Sequence, residues 1–145
     1  MINNPPEIII PYRLSRSFIR SHPEWIFVYG DAVTNRSYEG QCDAAKGESN
    51  CFMVPTKWNP CSSEPPQSFF NDDQFHLNQN VIDTAIGDIE TSLESNPRPV
   101  ILFPKIGCGK AQMPKKCPKT YAYLMERLNK IVYLNVKRDY NWRVE

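Results

Sequence analysis

Two histidines, five cysteines without a C-x-x-C pair and almost no excess of charge leave this chain few of the commoner chemical signatures. The cysteines (Cys42, Cys51, Cys61, Cys108 and Cys117) are an odd set. His22 and His76 alone do not complete a zinc site with them, so no metal is expected. In a cytosolic protein such residues are free thiols. Lys plus Arg total 17 against 16 acidic residues, which gives no global electrostatic footprint of a nucleic-acid binder. No apolar run approaches membrane-spanning length, and the opening M-I-N-N-P-P-E has neither the basic nor the apolar part of a signal peptide. Internal repeats and low-complexity tracts are also absent. The expectation is one soluble, cytoplasmic domain spanning 1–145, long enough to bury about two-thirds of its unfolded surface in a single core.

What is present is an alternation of strand-like and helix-like stretches. Glu7 to Pro11 (E-I-I-I-P) reads as a strand, and Ser15 to Ser21 as a short helix stopped before Pro23. Trp25 to Tyr29 (W-I-F-V-Y) is a strong strand that ends at Gly30 and Asp31. A polar loop, A-V-T-N-R-S-Y-E-G-Q, leads to a helical segment around Cys42 to Lys46 closed by Gly47. Cys51 to Thr56 is a third strand, with Lys57 and Trp58 at its carboxyl end. Asn59 to Asn78 reads as a long loop whose Phe69, Phe70 and Phe75 form either an ordered lid or a cover for the core. Val81, Ile82, Ala85, Ile86, Ile89 and Leu93 mark the clearest amphipathic helix. Val100 to Phe103 (V-I-L-F) has the continuous apolar character of a central parallel strand, and a helix opens at Pro118. Val132 to Val136 is expected as the last strand and 137–145 as a polar tail. This order implies an α/β domain with a mostly parallel sheet covered on both faces by helices.

In such sheets ligands bind beyond the carboxyl ends of the strands. Three ends carry suitable residues: Gly30-Asp31, Thr56-Lys57 and the P-K-I-G-C-G-K loop that follows Phe103. In that loop Gly107 and Gly109 flank Cys108, and Lys105, Lys110, Lys115, Lys116 and Lys119 crowd one window without an acidic residue. Glycines let backbone approach a ligand closely and lysines supply positive charge, which together point to a phosphate or pyrophosphate site. Cys108 as a nucleophile has no base nearby in the sequence.

A buried strand running into P-K-I-G-C-G-K resembles the ligand loop of macro domains, which bind ADP-ribose and related nucleotides in a three-layer α/β/α fold. The polar loop with Gly40-Gln41 is similar to the family's first ligand loop, and P-T-K-W falls where some ADP-ribosyl hydrolases of the family carry T-K. The combination also resembles small macro-like proteins of bacteriophages, which would place it in the host cytoplasm. The resemblance covers about Trp25 to Val136 and needs no cofactor. It implies that Ile106, Gly107, Cys108 and Gly109, with Lys110, contact a pyrophosphate, and that the loop from Gly30 through Asp31, Asn35 and Gly40 to Gln41 approaches the distal ribose. Lys57 matches a lysine that attacks the anomeric carbon in one hydrolase branch. That branch has an aspartate just after I-G-C-G, where this chain has Lys110 and Ala111, and the family's N-A-A-N run and triple glycine are missing.

Three functions follow. One is a hydrolase of ADP-ribose derivatives, with Lys57 as nucleophile or Asp31 as acid or base. The second is a module that binds an ADP-ribose-type nucleotide without turnover, and the third a protein-interaction scaffold. Lys57 as a solvated strand-end lysine and Asp31 as a turn former are the alternatives to catalytic roles.

Overall fold

The computed structural model describes residues 7–11, 13–34, 41–59, 68–132 and 141–144. In chain order the elements are β1 (Glu7–Ile10), α1 (Arg16–Ser21), β2 (Ile26–Ala32), α2 (Gln41–Ala45), β3 (Cys51–Lys57), α3 (Phe75–Ser95), β4 (Val100–Leu102), α4 (Met113–Lys116), α5 (Pro118–Val132) and β5 (Asn141–Val144). The fold is α/β, and both ladders among the described residues are parallel. One ladder has the order β3-β2-β4, and β1 and β5 form a second parallel pair.

Parallel neighbours need crossovers, and helices supply them: α2 joins β2 to β3, and α3 joins β3 to β4. The middle strand is thus β2. The V-I-L-F stretch, expected at the centre, pairs on one side of it, through Ile26↔Val100 to Val28↔Leu102. Its continuous apolar character comes from burial of its end of the sheet, since Val100, Ile101 and Phe103 are all buried. β2 itself is covered on both faces. Ile26, Phe27, Val28 and Tyr29 are buried although successive residues point to opposite sides.

Local chemistry explains the helix ends. Ser15 caps α1, its hydroxyl accepting from the Phe18 amide at 3.1 Å. Gly47, at φ +88, ends the α2 region as a left-handed stop. Arg16 and Arg20 both reach Glu48, which ties α1 to the turn before β3. Ile82, Ile86, Ile89 and Leu93 of α3, with Leu124, Leu128 and Ile131 of α5, form much of the core. Arg127 bridges the outer sides of the two helices, pairing with Asp83 and Glu90.

Four expectations are revised. Asp72–Gln74 form a 3-10 turn and α3 starts at Phe75, so the proposed long loop ends earlier than Asn78. Phe69 and Phe70 are buried, and Phe70 meets Trp58 edge-on at 5.0 Å; they cover the core and are not an exposed lid. Val132 belongs to α5, while the rest of the stretch to Val136 lies outside the described residues. Asn141–Val144, read as part of a polar tail, is a strand because β1 offers it a ladder from Glu7↔Asn141 to Ile10↔Val144.

Candidate functional site

The carboxyl-terminal parts of β2 and β3 and the loop after β4 come together around Gly30. β2 runs on through Gly30 and Asp31 to Ala32, past the expected end at Tyr29, because β3 continues to offer partners: Gly30↔Val54, Asp31↔Pro55 and Ala32↔Lys57. The register slips between Asp31 and Ala32. A bulge of this kind re-aims side chains at a strand end, and it suits Pro55, which has no N–H to give to the ladder. A Cβ on Gly30 would lie 2.9 Å from Thr56 Cγ2 and 3.5 Å from Ile106 Cγ2. Gly30 is therefore a packing requirement where the loop after β4 closes over the other two strands.

Asp31 is the polar centre. Its side chain is 0% exposed. Oδ1 accepts from the Ala32 amide at 2.7 Å, while Oδ2 has no hydrogen-bond donor and lies 3.4 Å from Lys46 Nζ. The main-chain carbonyl of Asp31 accepts from the Thr56 hydroxyl at 3.3 Å. A carboxylate held in a central strand beside an ammonium is no turn former; Oδ2 lacks a hydrogen-bond donor, and the Lys46 ammonium compensates its charge. Lys46, 14% exposed, is the residue that sequence reasoning missed. A lysine just ahead of a helix-stopping glycine reads as an ordinary partner for the helix dipole, and only the tertiary fold carries it to Asp31.

Lys57 is 5% exposed, which removes the solvated reading. Its carbonyl accepts from the Val33 amide at 2.8 Å, and it forms an isolated antiparallel bridge with Phe69, whose ring centroid lies 4.4 Å from Nζ. Lys116 Nζ lies 4.7 Å from the same ring. Cation–π contact is how these two ammonium groups meet apolar surface.

The loop after β4 is held from beneath. Ile106 is buried, so its side chain anchors the loop. Gly107 has φ +80, and a Cβ there would meet Met113 Sδ at 2.7 Å. Its carbonyl accepts from the Met113 amide at 2.9 Å. Lys105 and Gln112 also adopt left-handed conformations, at φ 56 and φ 50, and bracket the turn. The Cys108 amide donates to the Lys105 carbonyl at 3.0 Å, so it closes the turn in this conformation. The exposed Cys108 Sγ lies 3.3 Å from Tyr121 Oη, and this hydrogen bond pushes the Tyr121 hydroxyl pKa up. Nothing lies within 4 Å of a Cβ placed on Gly109, and Lys110 is exposed. Asn35 and Gly40 lie outside the described residues, and Gln41 is described only as the first residue of α2.

The nearby amino terminus of α5 is already occupied. Asp72 Oδ2 accepts from the Lys119 amide at 2.9 Å, and Oδ1 from the Thr120 amide at 2.9 Å and the Thr120 hydroxyl at 2.8 Å. Burial works to raise the Asp72 carboxyl pKa, but these hydrogen bonds and the Lys119 charge outweigh it and hold it below the usual carboxylate range. Buried Asn78 donates to Thr120 Oγ1 at 3.1 Å and to the Asn71 carbonyl at 2.9 Å, completing the support. A phosphate would have to bind at the loop itself. Among the described residues no group of three His, Cys, Asp or Glu side chains is placed to hold a metal, and no helix is long and apolar enough to cross a membrane.

A family model, described as a family of unknown function (DUF7831), matches residues 9–127. The chain belongs to DUF7831. No curated protein and no solved structure matches it. The DUF7831 match runs from β1 into α5 and therefore contains Asp31, Lys46, Lys57 and the whole loop after β4.

Proposed function

We propose that this DUF7831 domain is a macro-like module that binds ADP-ribose or a closely related nucleotide at the carboxyl ends of β2, β3 and β4. The observation that carries the reading is Asp31: a buried carboxylate near the end of the central strand, beside Lys46, whose Oδ2 has no hydrogen-bond donor. The glycine loop beside it suits a phosphate, with Gly109 leaving room and Lys105 and Lys110 supplying charge. The sheet order supports the same place. The connection from β2 leads to one side and that from β3 crosses to the other, and ligand crevices form where connections diverge in this way. Right-handed crossovers running in these opposite directions would put α2 and α3 on opposite faces, which supports a three-layer α/β/α arrangement. On this reading the domain works in the cytoplasm on ADP-ribose-type signals, that of a host cell if a phage encodes it.

Hydrolysis of ADP-ribose derivatives is the second reading, favoured by the burial of Asp31 and Lys57 together at the strand ends. Attack by Lys57 requires its neutral form, whereas Asp31 as acid or base works through proton transfer. Calorimetry with ADP-ribose, followed by analysis of the recovered nucleotide after incubation with ADP-ribosylated peptide, tests both. The module reading expects saturable binding and unchanged peptide. Cleaved peptide with wild type, lost in Lys57→Ala or Asp31→Asn while ADP-ribose still binds, establishes the hydrolase. Absence of ADP-ribose binding overturns both readings.

A further inference from the structure

Several basic side chains among the described residues sit in ion pairs. Arg16 and Arg20 meet Glu48, Lys46 meets Asp31, and Arg127 meets Asp83 and Glu90. Lys105, Lys115, Lys116 and Lys119 form no ion pair with any described carboxylate, although all four are exposed. They lie together with exposed Lys110 on the loop after β4, on α4 and on the first turn of α5. From Glu94 to Glu126 the sequence has no acidic residue between those two ends.

Aromatic rings hold two of these lysines. Lys116 Nζ lies 4.7 Å from the Phe69 ring centroid and Lys119 Nζ 4.2 Å from that of Phe75. A cation on a ring keeps its full charge, so these contacts position the ammonium groups without neutralising them. Of the nearby carboxylates, Asp72 accepts from the Lys119 amide and from the Thr120 amide and hydroxyl and offsets part of the Lys119 charge, and exposed Asp73 follows it in the same turn. A chain with net charge +1 thus carries five exposed lysines on the loop after β4, α4 and the first turn of α5.

We propose that Lys105, Lys110, Lys115, Lys116 and Lys119 form a surface that binds the phosphate backbone of a single-stranded nucleic acid. Lysine is a compact point charge and suits a row of phosphates, whereas recognition of an acidic protein's carboxylates favours the arginine fork, which this surface lacks. A membrane surface would also need apolar side chains to insert. Those of α4 and α5 are spent in the core, as Met113, Leu124 and Leu128 are, and Leu77 is the one large hydrophobic residue that stands exposed among the described residues. A duplex groove calls for a longer reading element than α4, which has 4 residues. The contact is with phosphates and carries no sequence preference. It shares Lys105 and Lys110 with the proposed nucleotide site, and Lys116, over the ring it shares with Lys57, places it beside the strand ends.

Fluorescence anisotropy with a labelled oligothymidylate of about twenty nucleotides tests the proposal. With five phosphates neutralised, log affinity falls with log salt at a slope of about −3.5, or about a hundredfold weaker binding between ~50 and ~200 mM salt. Replacing Lys115, Lys116 and Lys119 by Gln brings the slope to about −1.4 and weakens binding more than about tenfold at low salt. Lys130→Gln, an exposed lysine near the other end of α5, leaves both unchanged. If the triple variant melts early, each single variant still lowers the slope by about 0.7. The proposal is overturned if wild type does not bind at ~50 mM salt, if the slope is indifferent to these lysines, or if phosphatidylserine vesicles bind and the oligonucleotide does not. ADP-ribose calorimetry on the same samples decides the nucleotide-module reading separately.

Discussion

The two glycines of the G-C-G turn look equivalent in sequence and have different tasks. Gly107 is needed by the fold, because its φ of +80 and the Met113 sulfur both refuse a side chain. Gly107→Ala should cost about 1–3 kcal/mol in a urea unfolding curve. Gly109 sits in open space. Gly109→Val should change stability by less than about 1 kcal/mol yet lower ADP-ribose affinity, since the new side chain would occupy the ligand's place. Equal affinity in calorimetry would reduce the loop to a turn. The thiols separate in the same way. Burial pushes the Cys51 and Cys117 thiols up to about 12, while Cys108 is exposed. Peptide mapping after brief treatment of the native protein with a maleimide should find Cys108 modified well before Cys51 and Cys117, because the thiolate is the reactive form. Simultaneous labelling of all three would contradict that burial.

At the scale of elements, α5 depends on a carboxylate from another part of the chain. Asp72 serves as its amino-terminal partner across 47 residues of sequence separation, through Lys119 and Thr120. Its pKa is lowered in the fold, so its contribution is present above the unfolded carboxylate value and is lost as pH falls through the lower folded value. Asp72→Asn should therefore destabilise the protein by about 1 kcal/mol at neutral pH, within the range of helix caps. The gap between variant and wild type should close in urea titrations carried below about pH 4. A gap constant with pH would mean that shape, not charge, anchors α5.

At the scale of the molecule, an occupied native-state site raises stability by RT ln(1 + [L]/Kd), about 2.7 kcal/mol at a hundredfold excess of ligand over Kd. ADP-ribose should thus raise the melting temperature of wild type, and by less in Gly109→Val. A melting curve indifferent to ADP-ribose would remove the nucleotide reading while leaving the lysine surface to its own test.

Much of this architecture was legible because it rests on local rules. Continuous apolar runs give the three strands of the main ladder, 3.6-residue spacing gives α3 and α5, Gly47 stops the α2 region, and Pro118 opens α5. The lysine window and the G-C-G turn could also be read directly, since adjacency in sequence is adjacency in a loop. Tertiary structure alone decided the rest. It made β2 the middle strand, paired β5 with β1, buried Lys57, and brought Lys46 to Asp31. None of these follows from spacing along the chain. Which strands pair and which charges meet depends on how the crossovers pack, and that is settled only when apolar faces distant in sequence are buried against one another.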